Sequence, residues 1–344
     1  MIKVSAGRFF EDYRLGETLQ HAVPRTVSPG LRDIYTSLYP SRFALYSSDE
    51  FARACGLATS PVEDLAAFHL VFGKTVPDVS LNAVANLGYG AGRFLAPVWP
   101  GDTLRATSEV IGLKENSSGK TGVVWVRTQG FNQHGAAVVA YVRWVMVNKR
   151  DSAAPAPATV VPELATSVAP DALIVPEGLD FSTYDLAQAG APHRAADYAP
   201  GEIIDHVDGV TLSEAEHMLA TRLWQNTAKV HFDTTARPDG RRLIYGGHII
   251  SLARALSFNG LANAQMIVAI NAGSHANPAF AGDTVCAWSE VLDIAKTPAP
   301  GVAALRLRTV ATRGHARAGA LRGVDGKYLP EVLLDFDYWA LMPA

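Results

Sequence analysis

The chain repeats itself, and this constrains its fold more than any single motif. Asp12-Tyr13, Gly16-Glu17, His21, Thr26 and Ser28 recur as Asp197-Tyr198, Gly201-Glu202, His206, Thr211 and Ser213, all at an offset of 185. Leu65-Ala66 and Gly73 recur as Leu252-Ala253 and Gly260 at 187. Pro97, Gly101-Asp102-Thr103 and Glu109-Val110 recur as Pro278, Gly282-Asp283-Thr284 and Glu290-Val291 at 181. Matches that keep their order while the offset drifts by a few residues mark a duplication with loop insertions. A length of 344 residues suits two domains. The copies are separated by DSAAPAPATVVPELATSVAPDALIVPEGL from Asp151, with prolines at 155, 157, 162, 170 and 176. Proline fixes φ and removes a backbone donor, so this stretch is expected to be extended and without a core of its own. The expected organisation is a first domain over 1–150, a linker over 151–190 and a second domain over 191–344.

Each copy has the same coarse layout. In the second, Ser213 to Glu216 reads as a capping box before a short helix carrying Met218, Leu219 and Leu223. Tyr245-Gly246-Gly247 then opens a second helix that Asn259-Gly260 stops. Its apolar positions run almost all the way round, which predicts a buried helix. The matching helix in the first copy is EDLAAFHLVF, ended by Gly73. Strand-like runs follow over 103–111, 122–129 and 136–147, with counterparts near 284–292, 304–309 and 332–341. Alternation such as V-W-V-R-T and Y-V-R-W-V fits antiparallel strands with one face covered. The fold class is α+β, twice over, each half a long antiparallel sheet wrapped round a buried helix.

Composition removes several functions. Thirty basic against 33 acidic residues leave a net charge of -3, which gives no electrostatic reason to expect nucleic acid or an anionic membrane as partner. The best apolar run, GAAVVAYVRWVMV, is interrupted by Arg143 and too short to span a bilayer. Cys55 and Cys286 cannot form a disulfide framework, and with no signal peptide the expected location is the cytoplasm. Gly88-Tyr89-Gly90-Ala91-Gly92 lacks dinucleotide-binding spacing, and no Walker A loop, H-E-x-x-H, C-x-x-C or G-x-S-x-G is present.

The ordered helices, the RFLAPVWPGDTL segment and the strands after it resemble the MaoC-like hydratases of the hot-dog fold, in both halves. The chain therefore reads as a tandem (double) hot dog. That family carries its chemistry on Gly-Asp-x-Asn-Pro-x-His-x-Asp. Here the second half reads Gln225-Asn226-Thr227-Ala228-Lys229-Val230-His231-Phe232-Asp233. The His and the trailing Asp match, while the family's catalytic Asp falls on Asn226. In the first half the same positions fall on Ser41 and Tyr46, so that half is expected to be catalytically degenerate. The whole-chain pattern is most similar to the mesaconyl-CoA (2-methylfumaryl-CoA) hydratases, also called β-methylmalyl-CoA dehydratases. The resemblance implies an acyl-CoA substrate and no separate cofactor, coenzyme A being part of the substrate. No metal site is expected, and a homodimer is a candidate assembly.

Hydrating an α,β-unsaturated thioester needs an oxyanion site for the carbonyl, a group that moves the α-proton, and one that handles the β-hydroxyl. Gly246 and Gly247, with His248 beside them, stand at a buried helix start, where free N–H groups and the dipole favour negative charge; the bland alternative is a tight turn. His231 is the motif's proton carrier, against the alternative of a loop histidine bonded to backbone. Asn226 cannot act as a base, so it either orients the water, leaving both proton transfers to His231, or the carboxylate comes from elsewhere. Asp233 and Gln225 are candidate supports, although Asp233 also fits a helix cap. Glu63 and Asp64 read as caps of the first buried helix, and His21, His206 and His69 as structural. A substrate carboxylate would call for an arginine, with Arg42, Arg93, Arg222, Arg241 and Arg254 unranked. The competing function is a hot-dog acyl-CoA thioesterase, because Tyr-Gly-Gly-His at a buried helix start resembles those enzymes too. A non-catalytic acyl-binding protein is the third reading.

Overall fold

The structure, a computed structural model, describes residues 3–315 and 318–344. Ten strands form one antiparallel sheet. In the first half they are β1 (Thr18–Thr26), β2 (Ala83–Phe94), β3 (Thr103–Glu115), β4 (Thr121–Phe131) and β5 (Ala137–Asn148). The second half has β6 (Ile203–Thr211), β7 (Met266–His275), β8 (Thr284–Lys296), β9 (Val302–Arg313) and β10 (Val332–Pro343). The order across the sheet is β1-β3-β4-β5-β2-β7-β10-β9-β8-β6, so each half is the mirror of the other about the β2–β7 seam. The helices that matter here are α1 (Pro29–Leu38), α2 (Asp64–Thr75), α3 (Glu214–Leu223) and α4 (Gly246–Leu256). Among the described residues no helix is long and apolar enough to cross a membrane.

The glycine-rich segment Gly88–Gly92, which offers no ligand loop, is the seam strand itself. A side chain at Gly88 would overlap the Trp144 ring, and a Cβ at Gly92 would stand 2.8 Å from Ile270 Cβ across the seam. Glycine permits the two half-sheets to meet at the register Tyr89↔Gly273, Gly90↔Ala272 and Gly92↔Ile270. Neither β2 nor β7 was expected from periodicity. β7 reads as a continuous apolar run because it is buried at the centre of the sheet, and β2 as a turn-rich one because its glycines make room for Trp144 and Ile270.

Both α2 and α4 lie against one face of this sheet and share a single core with it. Every residue of α2 is buried. The helices begin at Asp64 and Gly246, 182 positions apart, close to the strand offset and unlike the 187 of the Leu-Ala and Gly matches. Gly73 does not end α2; the helix runs on to Thr75, and Gly73 is where the Trp224 carbonyl approaches too closely for a side chain. In α3 the buried face is His217, Ala220, Thr221 and Leu223, while Leu219 points to solvent.

The shared motif residues form two equivalent networks. His21 on β1 bonds through Nε2 to Ser108 (2.7 Å), which bonds Thr128; His206 on β6 bonds Ser289 (2.8 Å), which bonds Thr309. Asp102 and Asp283 each accept a backbone N–H three residues earlier, from Trp99 and Phe280. Residues 151–190 are largely extended, but they are not free. Val168, Leu179, Phe181 and Tyr184 pack with Met266, Val268, Trp339 and Leu341, whose neighbours Ile267 and Ala340 face the helices. Alternation puts this strap on the opposite face of the sheet. The Val168 carbonyl accepts the Trp339 indole N–H at 3.0 Å.

Candidate active site

A cavity of about 400 Å³ opens between α4, the loop after α3, and the seam strands. Its wall is built from both halves: Asn226, His231, Tyr245 and Gly246 from the second-half loop and helix start, His275 from β7, and Asn86, Tyr89 and Arg143 from the first half.

The loop bearing the motif is folded by its own polar groups. Gln225 takes a left-handed backbone (φ 55°) that turns the chain out of α3. Asn226 Oδ1 then accepts the Ala228 N–H (3.0 Å), an Asx turn that leads into the single helical turn Lys229–His231. The Nδ2 of Asn226 makes no protein hydrogen bond among the described residues. His231 donates from Nδ1–H to the Leu243 carbonyl (2.7 Å), which leaves Nε2 as the nitrogen with the lone pair. Burial lowers its pKa to about 4, against the opposing pull of that carbonyl, so the imidazole is neutral at pH 7. Its ring lies 5.8 Å from that of Tyr245 and 5.8 Å from that of His217.

Tyr245 is the N-cap of α4, and no side chain caps the first turn. The amides of Gly246 and Gly247 are thus first-turn donors at the positive end of the dipole. Gly246 lines the cavity, and a side chain there would run into the His275 ring. Gly247 faces away, against Tyr245 and His69. The Tyr245 N–H donates to His217 Nε2 at 3.0 Å, which anchors the helix start to α3.

Several expected site residues are elsewhere. His248 points into the core, with Nδ1 3.1 Å from the Tyr39 hydroxyl, and burial lowers its pKa to about 4. Asp233 is exposed and caps the turn Thr234–Ala236, taking the Thr235 N–H at 2.8 Å. The Gln225 side chain reaches Lys74 (3.5 Å) and does not line the cavity. Of the five arginines, Arg42 and Arg254 stack on Phe258 and Phe43, Arg241 on Phe280, and none lines the cavity. His69 is a satisfied core histidine, bonded to Tyr245 and Ser251.

Among the wall residues that escaped the sequence reading are three on the strands, besides Arg237, whose guanidinium is already paired with Asp239 at 2.6 Å. His275 bonds Tyr89 Oη through Nε2 (3.0 Å) across the seam, and burial lowers its pKa to about 4. Arg143, read only as a break in an apolar run, is fully buried on the wall. Asn86 has neither amide atom hydrogen bonded. Nothing local distinguishes these positions; the strand register aims them.

The equivalent place in the first half is filled. Tyr46, at the His position, donates to Asp64, whose carboxylate also takes the Ile267 N–H at 2.8 Å. Glu63 and Asp64 are therefore not caps: Glu63 makes no cap bond and its Oε1 is buried without a partner. Burial raises both pKa values to about 7. Beside Asp64 only about 10 Å³ of free space remains, room for about one water.

The chain matches the family described as mesaconyl-CoA hydratase over residues 3–317. It is 74% identical to a mesaconyl-CoA hydratase of Cereibacter sphaeroides, over 99% of this chain and 100% of that protein. It is 58% identical to a β-methylmalyl-CoA dehydratase of Chloroflexus aurantiacus, over 99% and 98%. The crystal structure of a MaoC domain protein from Chloroflexus aurantiacus superposes with a TM-score of 0.97 at 57% identity, over 100% of this chain and 99% of that one. A double-hotdog protein of Mycobacterium tuberculosis superposes at 0.76 with 25% identity, over 97% and 98%.

Proposed function

The chain belongs to the mesaconyl-CoA hydratase family, and from that premise we propose that it is a hydro-lyase on α,β-unsaturated acyl-CoA thioesters, converting mesaconyl-CoA to β-methylmalyl-CoA. One observation carries the site assignment. His231 Nδ1–H is committed to the Leu243 carbonyl, so a neutral Nε2 faces a cavity whose wall also holds an uncapped helix N-terminus.

The thioester carbonyl sits against Gly246, where first-turn N–H groups stabilise the enolate oxygen as charge develops. Water is polarised by His231 Nε2, which takes its proton as the oxygen bonds the β-carbon. The imidazolium then returns that proton to the α-carbon on the same face, so one histidine serves both transfers. A base held at about 4 in the free protein is weak, and enolate charge beside it favours the protonated form as the addition proceeds. Asn226 Nδ2 donates to the water oxygen, and its Oδ1, locked by Ala228, fixes the direction of that amide. The chemistry needs no separate cofactor, coenzyme A arriving with the substrate. Two buried, unpaired cysteines suit the reducing cytoplasm.

A thioesterase would need a carboxylate or an equivalent group to direct water at the carbonyl carbon. Among the described residues the cavity wall holds no Asp, Glu or Gln. Incubation with mesaconyl-CoA tests the reading: enoyl absorbance is expected to fall to an equilibrium without release of free thiol. Release of thiol would make the protein a thioesterase, and binding with neither change would make it a carrier.

A further inference from the structure

Arg143 has a guanidinium that nothing in the fold neutralises. It lies on β5, fully buried, and lines the cavity that holds His231 and Asn226. No carboxylate pairs with it among the described residues. Its Nη2 donates to Thr75 Oγ1 (2.7 Å), Ser80 Oγ is more distant (3.4 Å), and the plane stacks 4.3 Å above Phe72. Its Nε has no partner among the described residues. Around it stand tyrosines, Tyr13, Tyr89, Tyr141 and Tyr245, none ionised at neutral pH. A buried cation with an unused N–H is costly unless something completes it.

The duplication sharpens the point. Arg143 stands opposite Tyr89 on β2, and the matching register in the second half puts Tyr338 opposite Ile270 on β7. The arginine therefore occurs only in the copy that faces the open cavity; in the other half Tyr338 takes its place, with its hydroxyl 3.1 Å from Thr309 Oγ1. Phe72, under the guanidinium, lies 5.7 Å from the Tyr245 ring, which lies 5.8 Å from that of His231, so the arginine and the histidine belong to one cavity wall. Asn86, with both amide atoms unpaired, lines the same cavity from β2.

We propose that Arg143, supplied by the first half, is the receptor for a free carboxylate at the far end of the substrate's acyl group, with Asn86 as its polar neighbour. A guanidinium edge offers parallel N–H donors that match a carboxylate, and the Nε–H is unspent. The first half, with its own site filled, thereby sets acyl specificity for the second. This inference rests on the hydro-lyase reading above and deepens it.

The test compares mesaconyl-CoA with its methyl ester, which keeps the skeleton and removes the charge, on the full chain. In the parent, kcat/KM for the free acid is expected to exceed that for the ester by roughly 10²-fold, the scale of a buried charge pair. In Arg143→Gln that ratio is expected to collapse to within a few-fold, and in Arg143→Lys, which keeps the charge and loses the fork, to fall between. An unchanged ratio in either variant overturns the assignment, because loss of packing lowers both substrates together. If Arg143→Gln does not fold, by circular dichroism, the parent ratio and Arg143→Lys decide. A parent that hydrates the ester as well as the acid overturns the role of Arg143 and leaves the hydro-lyase reading standing. A parent that hydrates neither overturns both.

Discussion

Asn226→Asp is the most informative single change, because it restores the acid of the family motif beside a histidine whose environment is known. The substitution keeps the Asx turn, since either carboxylate oxygen can accept the Ala228 N–H that Oδ1 now takes at 3.0 Å. Only the cavity-facing Nδ2 is exchanged for a second oxygen. His231 is held at about 4 because burial disfavours the imidazolium and its one fixed partner, the Leu243 carbonyl, does not offset that. A carboxylate within about 4–6 Å favours the cation and raises an imidazole pKa by roughly 1–3 units. The acidic limb of kcat/KM, which reports the essential base of the free protein, should therefore move up by about 1–2 units. Above about pH 7 the imidazole is still neutral in the variant, so the loss is confined to acid. The assay is the initial rate of enoyl absorbance loss from pH 4 to 9, with circular dichroism checking the fold at each end. An acidic limb that does not move, or moves down, would refute His231 as the titrating base.

Further outcomes follow from the same geometry. Asn226→Ala should lower kcat while KM for the thioester stays nearly constant, because the Gly246 amide is untouched; if turnover is unchanged, the His275–Tyr89 pair becomes the better holder of water. His231→Ala should cost about 10²–10⁴ in kcat, the usual range for a lost general acid–base. Tyr46→Phe should leave turnover within a few-fold yet lower stability by about 1–3 kcal/mol, since Asp64 loses a buried donor. Gly246→Ala should lower kcat/KM by roughly 10-fold or more through the His275 ring it would displace, seen in the same absorbance assay. Glu63 keeps a proton in the fold up to about pH 7 that the unfolded chain loses near 4.5. Unfolding free energy should thus fall as pH rises through that window, with the full loss present above it, by up to about 3 kcal/mol. Denaturant titrations of Glu63→Gln should show a shallower slope, with the remainder due to Asp64.

The repeat at offsets of 185 and 181 was legible because it reflects paired networks built from local residues: His21 and His206, Asp102 and Asp283, Ser28 and Ser213 each do the same work in each half. Strand periodicity and the glycine pair before a buried helix were legible for the same reason, being patterns within a few residues of one another. The His231 position came from a motif of similarly short range. Tertiary structure decided the rest. Asp233 and Asn226 stand in one loop, yet one caps a turn in solvent and the other lines the cavity, which depends on the path of the backbone after Gln225. Glu63 and Asp64 look like caps, but Tyr46 and the Ile267 amide reach them from afar and turn the first site into packed interior. Arg143 appears in sequence as an interruption of an apolar strand. Its meaning depends on a cavity that exists only once β2, β5 and α2 meet the second half across the seam. Desolvation and pairing are properties of what surrounds a charge, and here its hydrogen-bond partners, Thr75 and Ser80, come from more than sixty positions away in the chain.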